Sequence, residues 1–421
     1  RDPEMSRGLG DVYKRQRLAY KQNPAVRNGV IGIKETKADY IASVGAFLPH
    51  IVVNAETGKR FGRSLDPDTN GYTSESFEEG TVGLDMTLSL FEGFSRINQV
   101  RFRKMNKERS EWELKEKQNE LAYQVTDAYY KLILERKLLD LALEQSRLSE
   151  RYLKQTEVFV ELGLKSASDL QEVKARREGD IYRYQSRGNS SRIALLHLKQ
   201  LMNIQPGDTL AILDTITASQ VPPYSVSTVE TLYAQSIEIL PSIRMIDLKQ
   251  KAAHKEYAIA GGAFSPSVFA RFTVGSNYYN TAFSARQLRD NIGKYVGVGI
   301  SFPLLSGLQR LTNQRKLKLN MYRLKNEEEL EKQQLYTDIE QTLLSLHTGY
   351  SEHQQALSQL DAETLVLKES ERKWEEGLIS VFQLMEARNR FIAAKAELVR
   401  VRLQIEMMMK LEKYYRQGTF L

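Results

Sequence analysis

The residue types that usually carry chemistry are few in this chain, and their spacing does not suit catalysis. The sequence contains no cysteine, so thiol catalysis, disulfide bonds and Cys-ligated zinc sites are excluded. No pair of histidines has the spacing that places two metal ligands on one face of a helix. The sequence therefore predicts no metal site and no cofactor. The histidines are His50, His197, His254, His347 and His353.

Two segments that contain glycine or serine also fail as catalytic motifs. Gly297-Val298-Gly299 lacks the third glycine of a dinucleotide-binding loop and does not open a helix. Ser190 and Ser191 lie within a predicted helix, whereas a serine nucleophile needs a strand-to-helix turn. The two tryptophans, Trp112 and Trp374, are predicted to be packing residues. We therefore predict that the chain is not an enzyme.

Charge and composition favour long helices with a solvated surface. The 421 residues include 60 Lys+Arg and 53 Asp+Glu, which gives a net charge of +7 and a pI near 9.1. A basic protein can bind nucleic acid, but acidic residues are interleaved with the basic ones, as residues 101–117 illustrate. Only ten prolines interrupt the chain, which is typical of long helices. No run of about 18 apolar residues predicts a membrane-spanning helix.

The chain is a tandem repeat of one unit. The matching pairs are Pro24 with Pro241, Pro49 with Pro266, Gly163 with Gly377, and Glu172 with Glu386. The first two pairs are offset by 217 positions (241 − 24 and 266 − 49), and the last two by 214 (377 − 163 and 386 − 172). A single difference of three residues in a loop explains the change. A register held over so long a stretch indicates two copies of one structural unit.

The repeat sets the predicted domain boundaries. The first repeat covers residues 17–204, a linker covers 205–228, the second repeat covers 229–416, and a short tail covers 417–421. Residues 1–16 have no apolar period and resemble a translated adaptor or linker. We therefore exclude them from fold reasoning and expect the native chain to begin near Arg17, with any export signal upstream of it missing.

Each repeat holds two stretches in which apolar and polar residues alternate, as in β-strands. They are predicted to begin near Pro49, Thr81, Pro266 and Tyr295. At about 10 residues, each has the length that a tilted strand needs to cross a bilayer. The apolar face is interpreted as contacting lipid, and the alternative is a soluble sheet with one buried face. Long outer loops are predicted at 58–80 and 276–294. The residues predicted to face lipid are Val82, Leu84, Met86, Leu88, Val296, Val298, Ile300 and Phe302.

Two long helices follow the strands. Residues 94–162 and 308–376 contain no proline and predict helices of about 100 Å each, at 1.5 Å per residue. Some apolar residues follow the 4-3 spacing of a coiled-coil seam, and further apolar residues lie beside that seam. Such helices bury more than one stripe and have neighbours on two sides, as in a wall of helices. Glycine turns end both helices. Shorter helices are predicted at 18–45, 167–202, 229–261 and 380–414.

Five short segments, in the order in which they occur, resemble the pattern of a known family. They are residues 23–27, 47–49, 90–93, 162–170 and 376–387. No single segment establishes the resemblance. Their duplicated order and constant register along the chain do. The sequence resembles the TolC-type outer-membrane efflux and secretion channels, also described as outer membrane efflux proteins. The resemblance covers about residues 17–414, nearly the whole native chain.

The resemblance implies a mostly α-helical protein with membrane β-strands, assembled as a homotrimer. Each protomer would give four strands to one outer-membrane β-barrel and its long helices to a periplasmic α-helical barrel. The trimer would be the passive exit duct of a tripartite efflux or type I secretion system. Its implied partners are outer-membrane lipid, a periplasmic adaptor (membrane fusion) protein and an inner-membrane transporter, with no nucleic acid.

Two other classes of protein stay open at this point. One is a soluble coiled-coil scaffold or adaptor of the periplasm or cytoplasm, which leaves the four alternating strands unexplained. The other is a helical nucleic-acid-binding protein, which requires one strongly basic face and steep salt dependence. The mixed charges along the helices argue against the second class.

The resemblance also implies a periplasmic gate. The family narrows its entrance with acidic residues after the second turn, and the matching positions are Gln383 and Glu386, of which only Glu386 is a carboxylate. Three copies of Glu386 would form a cation-selective ring, and the alternative is a solvated helix charge. Closed-state contacts of the family match Asp169 and, at an aromatic position, Trp374. Ile379 stands at a position where the family has a basic gate residue. The resemblance therefore implies only part of the family's closed-state contacts for this chain.

The two glycine turns are the implied docking tips for the adaptor. The residues are Gly163 and Leu164 in the first repeat and Gly377 and Leu378 in the second. A plain helix cap explains the glycines equally well without the resemblance.

Overall fold

Long helices and one four-stranded sheet make up most of the described structure. The computed structural model describes residues 23–65, 70–74, 76–205, 207–208, 210, 221, 227–280, 282–304 and 307–420. In chain order the elements are α1 (Pro24–Gly45), β1 (His50–Arg60), β2 (Ser64–Leu65), β3 (Tyr72–Thr73), β4 (Phe77–Glu92), α2 (Ser95–Glu161), α3 (Ala167–Leu201), α4 (Val229–Ile239), α5 (Pro241–Gly262), β5 (Ser267–Asn280), α6 (Ala285–Asp290), β6 (Gly293–Ser301), α7 (Gln309–Glu375) and α8 (Val381–Gln417).

The predicted tandem repeat is present in the backbone geometry. The long helices α2 and α7 each contain 67 residues and begin 214 positions apart (309 − 95). The residues just before them, Phe94 (φ 62°) and Leu308 (φ 64°), are both left-handed. So are the turn glycines Gly163 (φ 68°) and Gly377 (φ 76°). Because side chains with a Cβ rarely adopt this conformation, its recurrence at equivalent positions confirms that the two repeats fold alike.

The four long strands form one antiparallel sheet with the order β1-β4-β5-β6. One row of paired residues crosses it from Ile51 through Met86 and Phe272 to Val296. Because side chains alternate along a strand, this register collects the apolar residues of all four strands on one face. Among the described strands, β1 and β6 each pair on one side only, and they form the two edges of the sheet.

Aromatic rings lie against glycines on the opposite face of the sheet. A β-carbon at Gly297 would collide with the ring of Tyr295, and one at Gly299 would collide with the ring of Phe269. Phe269 and Gly299 are direct cross-strand partners. The rings occupy the volume beside both glycines of the Gly297-Val298-Gly299 segment, so a side chain at either position would displace a ring.

β4 and β5 are longer than predicted, and the predicted loops contain regular structure. β4 begins at Phe77 and spans 16 residues, and β5 spans 14. The predicted loop 58–80 thus contains strand ends and the short β2–β3 pair, and the predicted loop 276–294 contains the helix α6. Aromatic contacts account for the extension: the rings of Phe77 and Tyr279 stack at 4.9 Å, and Tyr278 is buried.

Two other predicted boundaries were wrong, both next to proline. The single helix predicted over 229–261 is broken, because Leu240 before Pro241 has an extended backbone (φ −68°, ψ 135°), as the pyrrolidine ring favours. Phe302, predicted as a strand residue, lies after the end of β6 at Ser301. The next residue, Pro303, has no N–H to continue the ladder.

Some sequence predictions fall outside the described residues. They are the adaptor-like origin predicted for residues 1–16, the first helical turns predicted from residue 18, and most of the linker predicted at 205–228. The predicted tail at 417–421 is partly described and is attached to the core. Gly418 has φ 70°, and the buried Phe420 donates its N–H to Asn119 Oδ1 on α2 at 3.2 Å.

Contacts divide the chain into two compact units that cut across the repeats. One unit comprises Arg1–Ile31, Trp112–Arg244 and Glu329–Leu421. Its largest apolar cluster joins α2, α3 and α8 through fully or nearly fully buried side chains such as Leu132, Leu198 and Leu403.

The other unit comprises Gly32–Glu111 and Met245–Glu328, and it contains the sheet. Its helical segments are joined by polar contacts. Thr36 Oγ1 and Ser110 Oγ lie 2.8 Å apart between α1 and α2, and Ser95 Oγ donates to Ile259 O at 3.0 Å between α2 and α5. None of the helices in the described ranges is both long and apolar enough to cross a membrane.

Candidate functional sites at the sheet and at the helical turns

The apolar face of the sheet is exposed on the edge strands β1 and β6 and mostly half-buried on the inner strands β4 and β5. Val298 and Ile300 of β6 are 68% and 73% exposed, and Val53 of β1 is 68% exposed. Seven of the eight residues predicted to face lipid lie on strands, and the register puts them on this one face. An exposed apolar face of this extent on a sheet is unusual for a protein surrounded by water.

The opposite face of the sheet is polar. Asp85 on β4 accepts hydrogen bonds from Asn54 Nδ2 on β1 at 3.3 Å and from Thr273 Oγ1 on β5 at 3.0 Å. Arg271 lies on the same face, next to the aromatic–glycine pairs. The sheet therefore separates an apolar side from a hydrogen-bonding side.

The first glycine turn connects α2 to α3 through a capping box. Ser166 Oγ accepts from the Asp169 N–H at 3.1 Å, and Asp169 Oδ2 accepts from the Ser166 N–H at 3.0 Å. The Ser166 hydroxyl also donates to Asp169 Oδ2 at 2.9 Å, and the bonds from the Ser166 N–H and hydroxyl lower the pKa of Asp169. The predicted gate residue Asp169 thus fixes the start of the returning helix.

The second turn has the same capping geometry, but its capping partner is an uncharged glutamine. Ser380 Oγ accepts from the Gln383 N–H at 3.3 Å, and Gln383 Oε1 accepts from the Ser380 N–H at 3.0 Å. Asp169 and Gln383 are equivalent positions (383 − 169 = 214). At both turns the leucine after the glycine is exposed, 66% at Leu164 and 68% at Leu378. Exposed apolar residues at rigid, capped turns form a surface suited to a protein contact.

Trp374 lies inside the protein rather than at a surface. It is 2% exposed and packs against Tyr152 and Phe159, with ring centroids 5.1 and 5.8 Å away. Its indole nitrogen has no hydrogen-bond partner among the described residues. This burial agrees with its predicted packing role.

Glu386 is on the exposed side of α8. Its carboxylate is 55% exposed and lies 3.7 Å from the guanidinium of Arg390, one turn further along the helix. The four predicted gate residues are therefore in three environments: Asp169 and Gln383 in helix caps, Trp374 in the core and Glu386 at the surface.

A buried polar cluster between the helices near the two turns was not predicted from the sequence. Asp180 on α3 is 4% exposed and accepts hydrogen bonds from Gln145 Nε2 at 2.9 Å, from Arg183 Nη1 at 2.9 Å, and from the hydroxyl of Ser149. Gln145 and Ser149 lie one turn apart on the buried side of α2. Polar residues at helical spacing on an otherwise apolar face were the available signal.

Arg388 of α8 completes this cluster. It is 2% exposed, donates from Nη2 to the carbonyl oxygen of Gln145 at 3.2 Å, and lies over the ring of Tyr152. Burial lowers the pKa of Arg388, and burial also raises the pKa of Tyr152 to about 12. Tyr152 donates to Glu371 Oε1 on α7 at 3.3 Å. The cluster thereby joins α2, α3, α7 and α8.

Comparison with known proteins identifies the family. A model of the family described as outer membrane efflux protein matches residues 17–203 and 232–407. The chain belongs to the outer membrane efflux protein family. No curated protein sequence matches it. The family match confirms the resemblance inferred from the duplicated turns and strands.

Several solved structures have the same fold as this outer membrane efflux protein. The CmeC outer membrane channel of Campylobacter jejuni matches with a TM-score of 0.84 at 13% identity, over 97% of this chain and 85% of that chain. The outer membrane protein VceC of Vibrio cholerae matches with 0.83 at 15% identity, over 99% and 98%. The MtrE outer membrane channel of Neisseria gonorrhoeae, in its open state, matches with 0.79 at 16% identity, over 98% and 89%. The predicted fold class is confirmed.

Proposed function

We propose that three copies of this chain form an outer-membrane exit duct of a tripartite efflux or type I secretion system. The duct conducts substrates passively from the periplasm to the outside, because the energy comes from an inner-membrane transporter. A periplasmic adaptor protein connects the two. The proposal builds on membership of the outer membrane efflux protein family.

The observation that carries the proposal is a sheet with an exposed apolar face and, among the described strands, two unpaired edges. Such a sheet is unstable in water, since both features favour association. Four strands alternate in direction, so β6 of one copy can pair antiparallel with β1 of the next copy. Three copies then close a twelve-stranded barrel without a free edge, as outer-membrane barrels require.

The two faces of the sheet support the proposal that one face contacts lipid and the other lines the passage. In a barrel of this kind the apolar face contacts lipid and the polar face surrounds the lumen. The face with Asp85, Thr273 and Arg271 therefore lines the passage. The residues assigned to lipid contact are Val82, Leu84, Met86, Leu88, Val296, Val298 and Ile300 on strands, and Phe302 just beyond β6.

The helices form the periplasmic extension of the duct. At 67 residues and 1.5 Å per residue, α2 and α7 are each about 100 Å long. The turns at Gly163–Leu164 and Gly377–Leu378 are the surface for the adaptor. Beyond the second turn, three copies of Glu386 line the entrance.

Extraction from cell membranes tests the proposal. The protein is expressed with an export signal, membranes are extracted with mild detergent, and the mass of the purified assembly is measured. We expect an outer-membrane protein whose mass equals three copies of the 48.3 kDa chain, and ion-conducting channels after insertion into planar bilayers. A single folded copy that stays in aqueous solution and forms no channels contradicts the proposal.

A further inference from the structure

An open cavity of about 550 Å³ lies on the polar face of the sheet, between residues of β4, β5 and β6. It combines two charged residues with two aromatic rings, namely Asp85, Arg271, Phe269 and Tyr295. We call it the Arg271 cavity. A concave surface that joins aromatic area with a few polar groups is the usual form of a small-molecule site.

The guanidinium of Arg271 is an uncompensated charge in this cavity. Arg271 is exposed, and it makes no hydrogen bond, ion pair or ring contact within the part of the chain that the structure describes. Its cross-strand neighbours, Thr87 on β4 and Gly297 on β6, carry no charge. An arginine presents five N–H donors in a planar fork that fits a carboxylate. The cavity therefore offers a full set of donors to an anionic group.

Asp85, the acidic residue of the cavity, is already engaged by neutral donors. Its two carboxylate oxygens accept hydrogen bonds from Asn54 Nδ2 at 3.3 Å and from Thr273 Oγ1 at 3.0 Å. It forms no ion pair with Arg271. A second negative charge on a ligand would lie near this carboxylate and would be repelled by it. The cavity thus suits a ligand with a single negative charge.

Aromatic rings form the remaining wall of the cavity. The ring of Tyr295 covers Gly297. The ring of Phe269 covers Gly299 in the same way, so neither glycine presents a side chain that would fill the cavity. Tyr295 is 59% exposed, which leaves ring surface available to a ligand. Since aromatic groups stack on such rings, this wall favours a planar aromatic body beside the guanidinium of Arg271.

We propose that the Arg271 cavity binds a planar aromatic molecule that carries one anionic group, such as an aromatic carboxylate. The anionic group accepts hydrogen bonds from the Arg271 guanidinium, and the aromatic body lies against Phe269 and Tyr295. In the proposed trimer, three such cavities face the passage, so a bound aromatic anion obstructs the flow of ions. This placement in a passage rests on the proposed function, whereas the binding site itself rests on the sheet of one copy.

Titration with α-naphthoate, a planar aromatic carboxylate, tests the site. The full-length protein in lipid nanodiscs is titrated by calorimetry, with empty nanodiscs as the blank. We expect α-naphthoate to bind more tightly than the neutral α-naphthylmethanol and than its saturated analogue, decahydro-α-naphthoate. Arg271→Gln should weaken binding at least about tenfold, because it removes hydrogen bonds from a charged donor. Phe269→Leu should weaken it about two- to tenfold, because it removes the aromatic contact.

Arg60→Gln is the matched control. Arg60 lies on the same face of the sheet at the end of β1, and its guanidinium is paired with Glu79 at 2.9 Å. This variant should leave the affinity for α-naphthoate unchanged. Equal weakening by Arg271→Gln and Arg60→Gln overturns the inference, and so does equal affinity for α-naphthoate and its saturated analogue.

Single-channel recordings in planar bilayers separate this inference from the proposed function. Channels that α-naphthoate partly blocks, with the block relieved in Arg271→Gln, support both. Conducting channels that α-naphthoate neither binds nor blocks overturn the inference and leave the proposed function standing. Absence of a trimer and of channels overturns the proposed function and the placement of the cavity in a passage, while the titration still decides whether the site binds an aromatic anion.

Discussion

Asp180 shows how one buried carboxylate can fix the positions of several helices. Its oxygens accept hydrogen bonds from two side chains of α2 and from Arg183 on its own helix, and Arg388 of α8 lies close enough to interact electrostatically. A buried charge needs all of these partners, because an isolated one is strongly disfavoured. The cluster therefore allows few alternative packings of the helices that it joins.

We expect Asp180→Ala to lower the free energy of unfolding by about 3 kcal/mol, because it removes a buried charge that pairs with Arg183 and interacts electrostatically with Arg388. Thermal unfolding of the detergent-solubilised protein, followed by circular dichroism, measures the effect. The control Asp361→Ala, at an exposed position, should change stability by less than about 0.5 kcal/mol. The double variant Asp180→Ala and Arg388→Met should recover part of the loss, since the buried cation is then removed as well. Equal losses in the single and double variants would contradict this account.

At the scale of elements, the two repeats use the same helix cap with different chemistry. Both turns have a serine cap and a partner three residues later, but Asp169 ionises and Gln383 does not. The second turn can therefore serve as a control for the effect of ionisation at the first turn. A cap of this type stabilises a helix by about 1 kcal/mol.

The start of α3, unlike that of α8, should weaken in acid. The pKa of Asp169 is lowered in the folded state, so its contribution is present above the ordinary aspartate pKa and is lost as the pH falls through the lowered value. Hydrogen exchange of the turn amides, corrected for the intrinsic effect of pH, measures this. Asp169→Asn should remove the acid dependence at the first turn, and Gln383→Asp should create it at the second. Identical pH profiles for both turns in the unaltered protein would argue against the assignment.

The sheet has an element-scale prediction of its own. Val298→Lys places a charge on the apolar face, where a bilayer makes it cost about 2–4 kcal/mol near the midplane. We expect a sharp loss of assembled protein in the outer membrane, measured as trimer on unheated gels. Thr87→Lys is the matched control, on the neighbouring row but on the polar face, and should assemble normally. Normal assembly of both variants would count against lipid contact at Val298.

At the scale of the whole molecule, the role of Glu386 depends on the ring. In one copy its carboxylate is exposed and paired loosely with Arg390, so it contributes little to stability. Three carboxylates facing one passage would attract cations. The proposed role of Glu386 in selectivity therefore requires the proposed trimer.

We expect Glu386→Ala to raise single-channel conductance in planar bilayers and to lower the preference for cations, because it removes both bulk and charge from the entrance. Reversal potentials in a salt gradient measure the selectivity. Glu397→Ala is the control, an exposed carboxylate on the same helix that pairs with Arg400. Selectivity that is unchanged in Glu386→Ala, or equally changed in Glu397→Ala, would reject the ring.

The sequence predicted the long helices and their ends better than it predicted the ends of the strands. Periodicity and the repeat located the long helices to within a residue, because proline-free runs and turn glycines are local signals. Strand ends depended on distant partners, such as the stacking of Phe77 on Tyr279, and were missed. The Asp180 cluster was missed for the same reason, since its partners on α2 and α8 meet only in the folded chain. The 214-residue offset relates Asp169 to Gln383, but their shared capping role is seen only in the folded structure.

The two glycines beneath Tyr295 and Phe269 have a consequence for the size of the proposed pore. Because Gly297 and Gly299 lack side chains, the aromatic rings lie flat against the wall instead of projecting from it. Any larger residue there would lift a ring towards the centre of the channel, and threefold symmetry would repeat that obstruction around the axis. In the proposed channel, the width at this level would then depend on two positions that contribute no side-chain atoms at all.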